Sequence, residues 1–196
     1  MIKDLANAEH AEKYWISLGL HPWYLTTDNV DAQLAVLENH INDRNVKLLG
    51  ECGFDRLRGP DLSVQRAVFQ RQAELAVEHR KPMIIHCVRA FDELQAYGKR
   101  FADRVPMVIH GFNKSPQLAN QLIRQGFFLS FGVAILDETS NAAKTLRQIE
   151  QPFFLETDDH HTTIETIYEQ AAFLRHMTVH ELKDVIFAGW KEIALI

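Results

Sequence analysis

Apolar residues fall along this chain in two rhythms. Four short runs, 46–51 (VKLLGE), 83–86 (MIIH), 107–110 (MVIH) and 153–158 (FFLETD), are bounded by polar residues, Pro or Gly and read as buried strands. Two further strands are predicted: 16–23 (ISLGLHPW), which runs into a loop, and 127–132 (FFLSFG), punctuated by Gly. Longer stretches with helical spacing separate them. Asp28 or Asn29 is placed to cap a helix whose Val30, Leu34, Leu37 and Ile41 share one face. Helices are also predicted over residues 63–80, 91–101, 116–125 (opened by Pro116) and 137–149. Two more close the chain, the second behind a capping box, Thr178-Val-His-Glu181.

About six strands, each followed by a helix and apolar on both faces, imply a parallel sheet covered by helices. An open doubly wound sheet and a β/α barrel both fit that order. What separates them is where the polar residues fall. The four short runs end in Glu51, His86, His110 and Asp158, and in parallel α/β folds chemistry is done at the carboxyl ends of strands. Strand ends from different units meet at one centre only when the sheet curls around it, which favours the barrel. A full eight-unit barrel typically takes about 250 residues. With 196 residues, a TIM-like β/α barrel with an absent or abbreviated first part is expected. Neither an internal repeat nor a linker interrupts the chain, so residues 1–196 are expected to form one domain.

Composition narrows the function without naming it. Hydrophobic content of 46% and charged content of 24% are ordinary for a globular domain. A net charge of −5 argues against broad electrostatic capture of nucleic acid, which needs a basic surface. A phosphate substrate remains compatible, because bound metal ions supply positive charge locally. Cys52 and Cys87 each follow a proposed ligand, so strand alternation turns both thiols to the opposite face, as packing residues. The sequence shows no disulfide framework, signal peptide or membrane-length apolar run, and a soluble cytoplasmic protein without membrane association is expected.

A mixed shell of imidazole and carboxylate suits a divalent metal of the zinc, manganese or iron kind. Such a centre lowers the pKa of a bound water and polarises a phosphoryl or carbonyl oxygen. Glu51 is placed as a bridging or terminal carboxylate, and His86 and His110 as neutral nitrogen ligands. Asp158 is a candidate both for metal binding and for accepting the proton of the attacking water. His21, in Gly19-Leu-His-Pro22, ends a strand as a ligand or as a substrate contact. His160 and His161 are expected on an exposed loop, and His10, His40, His79, His176 and His180 on helices without a role in the site.

The ordered set of motifs resembles the TatD family of metal-dependent deoxyribonucleases, within the amidohydrolase-like barrels. Gly19-Leu-His-Pro22 is similar to the family's Gly-x-His-Pro segment, and Gly50-Glu-Cys-Gly-Phe-Asp55 to its Gly-Glu-x-Gly-Leu-Asp motif. Gln65, Phe69, Gln72, Leu75 and Ala76 reproduce its helix spacing, and Leu155-Glu-Thr-Asp158 its Glu-Thr-Asp signature. His-Pro-Trp at residues 21–23 resembles the shorter TatD-like proteins. The resemblance implies a barrel holding one or two divalent ions (zinc, manganese or magnesium). Glu51, His86, His110 and Asp158 then correspond to metal ligands, and phosphodiester bonds of DNA to the substrate.

Three departures accompany the resemblance. The family opens with a strand ending His-x-His, whereas this chain begins Met1-Ile-Lys-Asp-Leu, expected to lie in the helix before the Gly-x-His-Pro strand. Either an N-terminal segment has been lost or two ligands have been dropped. A barrel open at that point exposes sheet edges, so marginal stability or self-association is expected. The Arg that the family often places two residues after the first strand-end histidine, and the Asp that follows it, are replaced by Val88 and Arg89, leaving Arg89 as the candidate substrate contact. Asp159-His160 stands where Ala-Pro usually follows Glu-Thr-Asp. Two other functions are therefore weighed beside the nuclease: an amidohydrolase-like enzyme acting on a non-nucleic-acid substrate, and a catalytically weakened barrel serving as a binding subunit.

Overall fold

The computed structural model describes residues 14–196. His10 and the expected N-terminal helix lie outside the described residues. The chain divides into two compact units, 1–91 and 92–196, and each is built on parallel strands.

In the first unit, β1 (Ile16–Leu18) pairs in parallel with β2 (Val46–Asp55), and β2 pairs in parallel with β3 (Met83–Val88). Strand β1 is shorter than expected, because Pro22 opens a single 3-10 turn, Pro22–Tyr24, that His21 caps. Strand β2 is longer than the apolar run that announced it. Its last residues are paired by β3 through Cys52 with Ile85, Gly53 with His86, Phe54 with Cys87 and Asp55 with Val88. Glu51 is therefore not the end of its strand but lies inside it, at a register irregularity between Leu49 and Cys52. Glycine is required at position 53, where φ is 148° and a Cβ would collide with the backbone carbonyl of His86. It is required at Gly19 too, where a Cβ would stand 2.5 Å from the Cα of Gly50.

Helix α1 (Val30–His40) follows the first turn, and α2 (Leu62–His79) covers β2. On α1, Leu37 is buried, as is Ile41 just beyond the helix, while Val30 and Leu34 are half-buried. Asn29 occupies the N-cap position, yet its side chain turns back to accept from Thr26 N–H and donate to the Tyr24 carbonyl. The core of this unit gathers Leu37, Leu49, Phe54, Phe69, Met83 and Ile85, all essentially inaccessible. The Phe54 and Phe69 rings pack at a tilt of 46° with centroids 4.7 Å apart.

The boundary between the units falls at the start of α3 (Phe91–Phe101). In the second unit, β4 (Met107–Ile109), β5 (Phe127–Phe131) and β6 (Phe153–Leu155) pair in parallel in that order. They alternate with α4 (Pro116–Ile123) and α5 (Asn141–Gln148). Ser115 caps α4 and Ser140 caps α5. Helices α6 (Ile164–Leu174) and α7 (Val179–Glu192) close the chain, and the Thr178–Glu181 capping box is formed as the sequence predicts. His176 lies in the connection between them with φ 54°, not on a helix as expected. Residues Phe112, Phe131 and Phe153 form a file of edge-to-face rings through the core, about 6 Å apart. No helix among the described residues is long and apolar enough to cross a membrane.

Candidate metal centre

Glu51 inside β2, His86 inside β3 (not at its end, as the sequence suggests) and His21 on the turn after β1 come together, with one ligand atom of each within 4.8 Å of the others. His21 Nε2 lies 3.6 Å from Glu51 Oε2. The His21 and His86 rings meet edge to face at 4.4 Å, and Trp23 packs at 4.9 Å from His21 and 5.5 Å from His86. This donor set, two imidazoles and a carboxylate on two strands and a turn, is chemically suited to a divalent transition metal.

The hydrogen bonds around the rings assign their tautomers. Nδ1 of His21 accepts from Trp23 N–H at 3.1 Å, so the ring proton sits on Nε2 and points toward Glu51. His21 thus presents an N–H toward Glu51 at the edge of the cluster. Nε2 of His86 lies 3.1 Å from Asp55 Oδ2. An ionised carboxylate only accepts, so Nε2 carries the proton and Nδ1 the lone pair.

Asp55 is held by donors alone. Trp23 Nε1 donates to Oδ2 at 2.5 Å, and the backbone N–H groups of Leu57 and Arg58 donate to Oδ1 at 2.7 and 3.1 Å. Burial alone would raise its pKa. The bonds from the Trp23 indole, the Leu57 N–H, the His86 ring and the Arg58 N–H outweigh that and hold the carboxyl below its ordinary value. The backbone of Asp55 is fixed in turn by Gln65 of α2, which accepts from its N–H and donates to its carbonyl, each at 2.8 Å. Gln72, two turns further along α2, grips Leu20 N–H and carbonyl at 2.7 and 3.2 Å. The two glutamines thus pin the chain on which Asp55 and His21 stand.

Cys52, next to Glu51, points away from this cluster, and its thiol approaches the Ile84 carbonyl at 3.7 Å. Burial, reinforced by the nearby Glu51 charge, pushes the thiol pKa up, so it stays protonated and inert. At the rim, the Arg58 guanidinium lies over the Trp23 ring at 4.4 Å. Arg89 is exposed after β3, in the left-handed region with φ 52°, and its carbonyl accepts from Arg56 at 2.9 Å.

In the second unit, His110 follows β4 directly, and Asp158 comes three residues after β6 with φ 51°. They offer ligand atoms within 4.8 Å of one another. Nδ1 of His110 lies 3.4 Å from Glu156 Oε1, which also accepts from Gly111 N–H at 2.7 Å. Ser130 on β5 donates to the other oxygen, Glu156 Oε2. By the same rule His110 carries its proton on Nδ1 and its lone pair on Nε2. His160 and His161 are exposed, as the sequence predicts. The sequence reading singled out neither Asp55 nor Glu156, although both stand inside the motifs it used.

The sequence model of the family described as TatD related DNase matches residues 1–193. The chain is 31% identical over 134 residues to the uncharacterized metal-dependent hydrolase YjjV of Escherichia coli (strain K12), covering 67% of this chain and 51% of that protein. It is 30% identical over 138 residues to the 3'-5' ssDNA/RNA exonuclease TatD of Cronobacter sakazakii, covering 69% of this chain and 52% of that protein. The chain thus spans about half the length of these relatives. Among solved structures, the YjjV protein superimposes with a TM-score of 0.77 at 22% identity, covering 98% of this chain and 81% of that one. A TatD family hydrolase of Entamoeba histolytica gives 0.76 at 16% identity, covering 95% and 79%. These likenesses bear out the TIM-like β/α architecture expected from the strand ends.

Proposed function

The chain belongs to the TatD family of metal-dependent hydrolases, and from that membership we propose that it cleaves phosphodiester bonds at the ends of DNA strands. Glu51, His86, His110 and Asp158 serve in this reading as metal ligands, and residues 1–193, matched by one family model, as a single hydrolase domain. The observation that carries the reading is the cluster of His21, Glu51 and His86 within 4.8 Å, with His86 Nε2 held by Asp55.

A divalent ion, when bound, supplies a water of lowered pKa and an acid for the phosphoryl oxygen. The side chains do the rest. Asp158 takes the proton of the attacking water, as a general base on an exposed turn. Glu51 places its carboxylate between the histidines. His21, with its proton on Nε2, donates to a phosphate oxygen, and Arg89 and Arg58 add charge-assisted donors at the rim. The exposed rings of Trp23 and Tyr24 give a terminal base a surface to stack on. The net charge of −5 favours local recognition of a strand end over tracking along a duplex.

The test is hydrolysis of end-labelled single-stranded and duplex DNA by the purified chain, with zinc, manganese and magnesium each supplied in turn, beside a panel of amide and lactone substrates. Release of nucleotides by the wild type, abolished in Asp158→Asn and Glu51→Gln, supports the reading. Turnover confined to the amide or lactone panel replaces it with an amidohydrolase of another substrate class. Metal binding without any turnover replaces it with a binding subunit.

A further inference from the structure

We propose that Asp55 and Glu156 are positioning residues, each fixing the tautomer and orientation of one strand-end histidine, and that only Asp55 needs its full carboxylate to do so. The proposal rests on the metal-centre reading above and adds two residues to it.

Each oxygen of Asp55 faces two donors. Oδ1 receives Leu57 and Arg58 N–H, and Oδ2 receives Trp23 Nε1–H and the His86 ring. Backbone N–H groups and an indole donate and never accept. An amide in place of the carboxylate therefore has nowhere to put its NH2 group. Turned toward Oδ1, it opposes two backbone donors. Turned toward Oδ2, it opposes Trp23 and obliges His86 to accept at Nε2, which moves the ring proton to Nδ1 and leaves that nitrogen without its lone pair. His86 and Asp55 are 8% and 2% exposed, so water cannot substitute for the lost acceptor.

Glu156 sits in a more forgiving shell. Its Oε1 receives Gly111 N–H and the His110 ring, but its Oε2, among the described residues, meets only the Ser130 hydroxyl. A hydroxyl donates or accepts with equal ease. Glutamine keeps its oxygen on Gly111 and His110 and turns its NH2 group to Ser130, and the His110 tautomer is unchanged. Removing the side chain altogether releases the ring.

The experiment uses the 196-residue chain, labelled with 15N and stripped of metal, and reads histidine tautomers by long-range proton–nitrogen correlation. Zinc dissociation constants are measured in parallel by chelator competition. The wild type is expected to show Nε2–H at His86 and Nδ1–H at His110. Asp55→Asn should convert His86 wholly or partly to Nδ1–H and weaken zinc by about 10–100-fold, the usual effect of losing such an outer partner. Glu156→Gln should keep the His110 tautomer and hold zinc within about threefold. Glu156→Ala should give mixed tautomers at His110 and weaken zinc on the same scale as Asp55→Asn. A wild-type His86 protonated on Nδ1 overturns the proposal without any variant, including where Asp55→Asn does not fold. An Asp55→Asn protein that keeps the wild-type tautomer overturns it as well, and assigns Asp55 a structural role only. If the wild type binds no zinc, the metal reading fails while the tautomer pattern still decides the positioning claim.

Discussion

His86 in the first unit lies inside β3 and His110 in the second directly follows β4, and each gives one ring proton to a carboxylate on a neighbouring segment. The finish differs. The His86–Asp55 contact is 3.1 Å long between side chains 8% and 2% exposed, and the His110–Glu156 contact is 3.4 Å between side chains 13% and 20% exposed. Asp55 also ties down the Trp23 indole and the turn that begins at Arg56, whereas Glu156 ties down one backbone N–H and one hydroxyl. The same local device thus acts in one place as a buried structural node and in the other as an adjustable support. A buried carboxylate surrounded only by donors is fixed in charge and orientation by its surroundings. A half-exposed one shares the work with water.

The sharpest way to break this comparison is to delete each carboxylate. Asp55→Ala strands several buried donors, each of which typically costs about 1–3 kcal/mol when left unsatisfied, so the combined loss is expected to be the largest here. Glu156→Ala loses charge-assisted hydrogen bonds at a partly wetted site, for about 1–3 kcal/mol. Urea unfolding of both variants measures the difference directly. Equal losses would show that burial does not distinguish the two pairs. A smaller but more pointed effect is expected from Gln65→Ala, which leaves the N–H and carbonyl of Asp55 without their side-chain partners. The expected loss is about 1–3 kcal/mol, accompanied by faster amide exchange at Asp55 and no change around Glu156. Faster exchange in both units would mean that the clamp is not local.

These partnerships explain what the sequence could and could not reveal. Glu51, His86, His110 and Asp158 were legible because each follows an apolar run, and a polar ligand after a buried strand breaks the pattern visibly. The strand limits were less so. Strand β2 continues past Glu51 to Asp55 because β3 pairs its last residues, a partnership across strands that the apolar run does not show. Strand β6 stops at Leu155, leaving Asp158 on a turn. Asp55 and Glu156 were hidden for a different reason. Their partners lie 31 and 46 residues away, and pairing across strands has no period to read. Gln65 and Gln72 carried a usable signal. They share a helix stripe with Phe69 and Ala76, and both are 1% exposed. A glutamine on an apolar stripe is buried and must find a partner there.

The smallest expected effect supplies a reference for both pairs. Glu181, at the start of α7, is a carboxylate with a purely structural partner. It accepts from Thr178 N–H at 2.7 Å and from the Thr178 hydroxyl at 2.8 Å, and those bonds, backbone first, hold its pKa below the ordinary value. A carboxyl depressed in the folded state stabilises fully above its unfolded pKa, about 4.3 for glutamate, and that contribution fades as pH falls through the folded value. The first turn of α7 should therefore fray on acidification below about pH 4.3, before the helix centre does. Amide exchange across residues 178–182 reads this, and Thr178→Ala, which removes the hydroxyl bond but keeps the backbone N–H on Glu181, should weaken the pH dependence without erasing it while lowering stability by about 1 kcal/mol. Because Thr178 and Glu181 share the second unit with Glu156, this variant should leave the His110 tautomer unchanged. A shift at His110 would show that the support from Glu156 responds to any loosening of its unit, and the contrast with Asp55 would then be one of global rigidity and not of the local donor shell.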